Sequence, residues 1–163
     1  LCYLGLAECD GHGNINVSRF GPRIAGCGGF INITQNTHKV FFCGTFTAGG
    51  LKVKVEDGKV IIAQEGKQKK FLKDVEQITF NGDIALQNKQ EVMYITERCV
   101  FQLKEDGMHL TEIAPGIDLQ TQILDMMDFE PIVDRDANGE IKLMDAKLFA
   151  EGLMGLKEMK ESC

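Results

Sequence analysis

The chain has 163 residues, 44% of them apolar and 26% charged, with 24 acidic against 18 basic side chains and a net charge of −6. That length holds one sizeable core, so a single domain over residues 1–163 is expected. The acidic balance argues against a nucleic-acid protein, which needs a basic face, and no run approaches the ~18 apolar residues of a membrane helix.

Leu1-Cys2-Tyr3-Leu4-Gly5-Leu6-Ala7 is apolar from its first residue, with no initiator Met and no charged leader. It reads as the middle of a buried strand, and a piece of a longer polypeptide is expected. Asp10-Gly11, Asp57-Gly58 and Asp106-Gly107 each stand between strand-like residues. Asp-Gly suits tight hairpin turns because both positions tolerate φ > 0. Gly26-Cys27-Gly28-Gly29-Phe30 leads into "FINITQ", a glycine turn opening a helix. Thr37–Phe46 ("THKVFFCGTF") reads as a buried strand running into a second glycine-rich stretch, Gly44–Lys54.

"LKVKVEDGKVIIAQ" is the clearest hairpin and "CVFQLKEDGMHLTEI" a second. "VEQITFN" and "EVMYIT" are strand candidates, with "GDIALQNK" between them as a short helix. Asp118 can cap "LQTQILDMM", where Leu119, Ile123, Leu124 and Met127 keep helical spacing. Asp145 can cap a helix over "AKLFAEGLMGLKEMK", with Leu148, Phe149, Leu153 and Leu156 on one face. Strands alternating with helices predict an α/β fold: a mainly parallel sheet flanked by helices, with added β-hairpins.

Six cysteines, at 2, 9, 27, 43, 99 and 163, show neither CxxC spacing nor clustering with histidine. They fit small buried hydrophobes in a reducing compartment, so a cytoplasmic location is expected.

Four stretches could carry chemistry. The Gly26–Phe30 loop would present free backbone N–H groups to a phosphate or a developing oxyanion; a tight turn beneath a closely packed helix explains it equally. It lacks the Lys-Ser/Thr ending of a P-loop and the spacing of a dinucleotide fingerprint. Cys27 in that loop has no histidine within ten residues and reads as a small residue in a crowded turn. The Gly44–Lys54 loop leaves a strand end, where α/β sheets bind ligands. Lys52, Lys54, Lys67, Lys69 and Lys70 could there meet an anion, or form a solvated face. Asp134–Asp145 fits the EF-hand template, with Asp134, Asp136 and Asn138 at the first three ligand positions, Gly139 at the turn and Asp145 at the last. Against calcium stand Pro131, the missing second loop and the short Asp145, so no metal is expected there; the alternative is an Asn-Gly turn followed by a helix cap. Glu97-Arg98 reads as a local ion pair at a strand end, with a pocket role as the alternative.

Read together, "LGLAECDGHGNINVSRFGPRIAGCGGFINITQNTHKVFFCGTFTAGGLKVKVEDGKV", "ITERCVFQL", "LTEIAPGIDLQTQIL" and "FEPIVDRDANGEIKLMDAKLF" resemble the C-terminal part of family I CoA-transferases, nearest to single-chain propionate or acetate CoA-transferases. The resemblance covers essentially the whole chain, and "GCGGF" matches the family's GxGGF element. It implies a ping-pong reaction in which a glutamate attacks an acyl-CoA thioester and passes through an anhydride to a glutamyl-CoA intermediate. Gly28, and second Gly29, would donate N–H groups to the oxyanion; Phe30 would wall the acyl pocket; Gly49, Gly50 and Lys52 would approach the CoA. Coenzyme A would be a substrate, with no tightly bound cofactor. The partners implied are an acyl-CoA, a short-chain carboxylate, the rest of the transferase chain and further copies in a homo-oligomer.

The family's nucleophile lies in a Glu-x-Gly element upstream of the glycine loop. Glu8, the one glutamate before Gly26, lacks that context. The nucleophile is therefore expected outside the chain, and the chain alone is expected to be inactive. A non-catalytic acyl-CoA-binding module and a calcium-binding structural domain are the competing readings.

Overall fold

A computed structural model describes residues 1–150 and Lys160. In chain order, β1 (Cys2–Gly5) is followed by two small hairpins, β2 (Glu8–Cys9) with β3 (Ile15–Asn16) and β4 (Arg19–Phe20) with β5 (Arg23–Ile24). Helix α1 (Phe30–Gln35) leads to β6 (Lys39–Cys43), β7 (Thr47–Ala48), the hairpin β8 (Lys52–Glu56) and β9 (Lys59–Gln64), and β10 (Gln68–Lys69). Helix α2 (Gly82–Gln87) precedes the meander β11 (Glu91–Ile95), β12 (Cys99–Lys104) and β13 (Gly107–Ile113). Then come α3 (Leu119–Gln122), a 3-10 turn at Leu124–Met126, β14 (Ile132–Val133) and a 3-10 turn at Ala146–Phe149.

The central sheet runs β1-β6-β11-β12-β13-β14. β1, β6 and β11 are parallel, β12 and β13 are antiparallel to their predecessors, and β14 is parallel to β13. A mixed, mostly parallel α/β sheet with attached hairpins is therefore present, and among the described residues its helices are shorter than expected. In α1, Thr34 Oγ1 donates to the carbonyls of Phe30 and Ile31, and Thr37 Oγ1 to that of Ile33, which competes with further helical bonds. Asn81 caps α2 by accepting the Ile84 N–H at 2.9 Å. Asp118 caps α3 through the Thr121 N–H at 2.8 Å, but the α-helix ends after four residues.

Register puts Leu4, Phe42, Tyr94, Phe101 and Leu110 side by side on one face. That face is the core, where Phe42 packs on Phe30, Phe80 and Tyr94 at centroid distances of 5.7, 5.0 and 5.4 Å. A second aromatic set, Phe46, Phe71 and Phe101, continues it. The Tyr94 hydroxyl donates to the Gly13 carbonyl at 2.6 Å, tying the first hairpin to the sheet.

Three expectations need correction. β1 (Cys2–Gly5) is an edge strand, with Tyr3 66% exposed and Leu1 just before it 76% exposed, because among the described residues β1 has a neighbour on one side only. "VEQITFN" is not a strand: only Phe80 bridges, to Ile15, and Thr79 Oγ1 is spent on Ser18 and the Val17 N–H. Asp145 does cap, through the Lys147 N–H at 2.9 Å, but onto a 3-10 turn. The rest of that predicted helix, with Leu153 and Leu156, lies outside the described residues.

Candidate active site

Parallel strands β1, β6 and β11 end together at Gly5, Cys43 and Ile95. Ladder-like bonds continue past them, from the Leu6 N–H to the Cys43 carbonyl and from the Gly44 N–H to the Ile95 carbonyl. Ligands of open α/β sheets bind at this carboxyl edge. Because α1 connects parallel β1 to β6, its N-terminus faces the same edge. Both glycine loops therefore share it.

The first loop is shaped by Gly26 and Gly28, at φ +77° and +53°, a region closed to most side chains. Its base is held by N–H bonds from Ala25 and Gly26 to the Ser18 carbonyl and from Phe30 to the Cys27 carbonyl. The Gly28 and Gly29 N–H groups have no acceptor among the described residues, and both glycines are exposed. Phe30 is buried and stacked on Phe42, so it anchors the loop in the core.

The second loop is pinned at its base, and at its tip the Gly49 carbonyl accepts the Lys67 N–H at 3.2 Å and the Gly50 carbonyl accepts the Gln64 side-chain amide at 2.8 Å. Lys70 Nζ donates to the Thr45 carbonyl at 2.6 Å, and Glu97 accepts the Phe46 N–H at 2.8 Å. Thr47 Oγ1 donates to Glu65 and accepts the Gly66 N–H. Arg98 joins these groups. Its side chain is fully buried, forks onto both Glu65 oxygens at 2.9 and 3.1 Å, and reaches Glu97 at 2.8 Å. It also donates to the Gln122 carbonyl and lies 4.8 Å over the Phe46 ring. Burial works to raise the Glu65 carboxyl, but bonds from Arg98, Thr47 and the Gly66 N–H leave it below the usual carboxylate range. Gly49 and Gly50, at φ +78° and +101°, and Lys52 at the start of β8 remain exposed.

The expected lysines scatter. Lys69 pairs with Asp128 at 2.8 Å, Lys70 is buried, and Lys52, Lys54 and Lys67 point to solvent. Cys2, Cys9, Cys27, Cys43 and Cys99 are free thiols, while Cys163 lies outside the described residues. Burial pushes the Cys9 and Cys99 thiols up, away from the reactive thiolate. Glu8 accepts a bond from the Asn16 amide at 2.7 Å.

The EF-hand-like loop folds onto other partners. Asp134 bonds Lys104 at 2.8 Å and His109 at 2.6 Å, and Asp136 accepts its own loop's N–H groups from Asn138 and Glu140. Among the described residues no three His, Cys, Asp or Glu side chains converge as metal ligands. No helix among them is long and apolar enough to cross a membrane.

Sequence reading found Glu97 and Arg98 but missed Glu65, the Arg98 fork partner. Adjacency gives the Glu97–Arg98 pair, whereas no local signal marks Glu65, which the fold alone brings beside Arg98 from just past the end of β9.

No protein-family model matches the chain. Its sequence is 54% identical over 155 residues to acetate CoA-transferase YdiF of Escherichia coli strain K12, a match spanning 95% of this chain and 28% of that protein. It is also 54% identical over 158 residues to caffeate CoA-transferase of Acetobacterium woodii, spanning 94% of this chain and 29% of that protein. The fold superposes with a TM-score of 0.89, at 55% identity, on an E. coli O157:H7 acyl-CoA transferase crystallised as a thioester complex with CoA, over 94% of this chain and 29% of that one. This chain thus spans under a third of the length of the relatives it matches. Sequence and fold agree that it belongs to the family I CoA-transferases, as one part of them.

Proposed function

We propose that the chain supplies the oxyanion-binding and CoA-contacting side of a CoA-transferase active site. The observation that carries this reading is the pair of exposed, acceptor-free N–H groups at Gly28 and Gly29, held at the carboxyl edge of the parallel strands. A donor placed where negative charge develops stabilises the transition state more than the ground state. The nucleophile is a glutamate carried outside these residues. Its carboxylate adds to the acyl-CoA carbonyl, and collapse of the tetrahedral oxyanion expels CoA thiolate and leaves an acyl-glutamyl anhydride. The thiolate then attacks the glutamyl carbonyl, releasing the first acid and forming glutamyl-CoA; the second acid reverses the sequence.

Gly28 donates first and Gly29 second, Phe30 supports the acyl pocket from within the core, and Gly49, Gly50 and Lys52 meet the CoA. The acids are short-chain carboxylates, the setting is cytoplasmic and the whole enzyme is a homo-oligomer. Relatives that act on acetate and on caffeate support the transferase chemistry while differing in the acid.

Gly29→Pro in the full-length enzyme deletes one donor at a φ of −84° that proline accepts, whereas proline at Gly28 would also break its φ of +53°. A drop of about 10²- to 10³-fold in kcat for CoA transfer between propionyl-CoA and acetate is expected. Unchanged kcat in a folded variant overturns the assignment, as does transfer by residues 1–163 alone.

A further inference from the structure

A cavity of about 640 Å³ opens beside the carboxyl edge of β1, bounded by Leu6, Glu8, Phe20, Arg23, Gln68 and Lys70. Lys70 is 7% exposed, yet its ammonium makes one hydrogen bond, to the Thr45 carbonyl. An ammonium has three donors, and no carboxylate lies within 4.0 Å of this one among the described residues. Burial pulls Lys70 downward and the field of Glu97 only partly restores it. A buried ammonium with no carboxylate in ion-pair contact is costly, so a site of this kind favours an incoming anion.

The walls agree. Arg23 stands exposed on the β4–β5 hairpin with no carboxylate partner among the described residues, while Asp128 takes up the charge of Lys69. Glu8 is the opposing charge, and the Asn16 amide already bonds it.

We propose that this cavity is an oxyanion-binding subsite with Lys70 as its inner contact and Arg23 at its mouth. The inference rests on the transferase reading, in which two substrates carry oxyanions: the carboxylic acid and the phosphates of CoA.

Calorimetric titration of the full-length protein with propionate, CoA and pantetheine tests it. Lys70→Met lowers affinity for one oxyanion by about tenfold, the worth of a charged hydrogen bond, and leaves pantetheine unchanged. Lys70→Arg keeps most of that affinity. A loss with propionate assigns the acid; a loss with CoA assigns a phosphate. Unchanged affinity for both in a folded Lys70→Met protein overturns the proposal. Should Lys70→Met not fold, Arg23→Gln, on the exposed hairpin, decides in the same way, with weakened oxyanion binding in support and unchanged binding against. Wild-type protein that transfers CoA while these affinities do not move removes this subsite alone. Wild-type protein that binds an oxyanion through Lys70 but never transfers CoA removes the transferase reading alone.

Discussion

At the scale of single residues, Arg98 decides most. Its guanidinium is fully buried and satisfied by two carboxylates, a backbone carbonyl and an aromatic face. The pair with Glu97 could be read from adjacency. The fork to Glu65 could not, because it depends on how β9 lies beside the turn between β11 and β12. Removing one partner of a buried ion pair leaves the other charge stranded. Arg98→Met is expected to cost about 3 kcal/mol, read as a lower urea midpoint. Arg98→Lys recovers only part of it, since an ammonium cannot fork onto a carboxylate.

Elements show why some turns were legible and others were not. All three Asp-Gly pairs do sit in hairpins. Only Asp57-Gly58 turns with both residues at positive φ, at +51° and +72°. In the first hairpin the positive φ falls on Gly13, and in the third the two-residue loop is Glu105-Asp106, with Gly107 already paired to Lys104. Composition marks the turn, while tertiary anchors such as Tyr94 on Gly13 choose its centre. β14 depends on side chains more than on its two register pairs with β13. Asp134 beside it is clasped by Lys104 and His109, and His109 also reaches Asp106 at 2.8 Å. Burial works to raise the Asp134 carboxyl, but Lys104 and His109 hold it below the usual range; the bond from His109 does the same for Asp106. A carboxyl depressed in the folded state contributes stability above its unfolded pKa, near about 3.9, and that contribution is lost as pH falls through the folded value. Urea midpoints should therefore fall below about pH 4. Asp134→Asn should start from a lower midpoint and fall less steeply.

For the whole molecule, the apolar runs in KVFFC and EVMYI made the central strands readable, whereas which face each strand buries, Val40 with Phe42 and Val92 with Tyr94, is decided by the sheet. Glycine spacing, an equally local signal, made the candidate loops readable. The cavity over Lys70 was not, since its walls come from four separate stretches. The strand order carries a kinetic consequence. β11, β12 and β13 pair with chain neighbours, whereas Cys2 must find Val40, and Val40 must find Val92, across long intervening loops. Closing long loops is entropically slow, so the meander is expected to assemble first and to template the parallel strands. Truncating Phe101 to Leu should then slow refolding, with a φ-value above about 0.5, while Val40→Ala should mainly speed unfolding, with a φ-value below about 0.3. Stopped-flow chevrons of the two variants check this, and equal φ-values would refute it. On that order of events, the edge that carries both glycine loops is the last part of the sheet to be built.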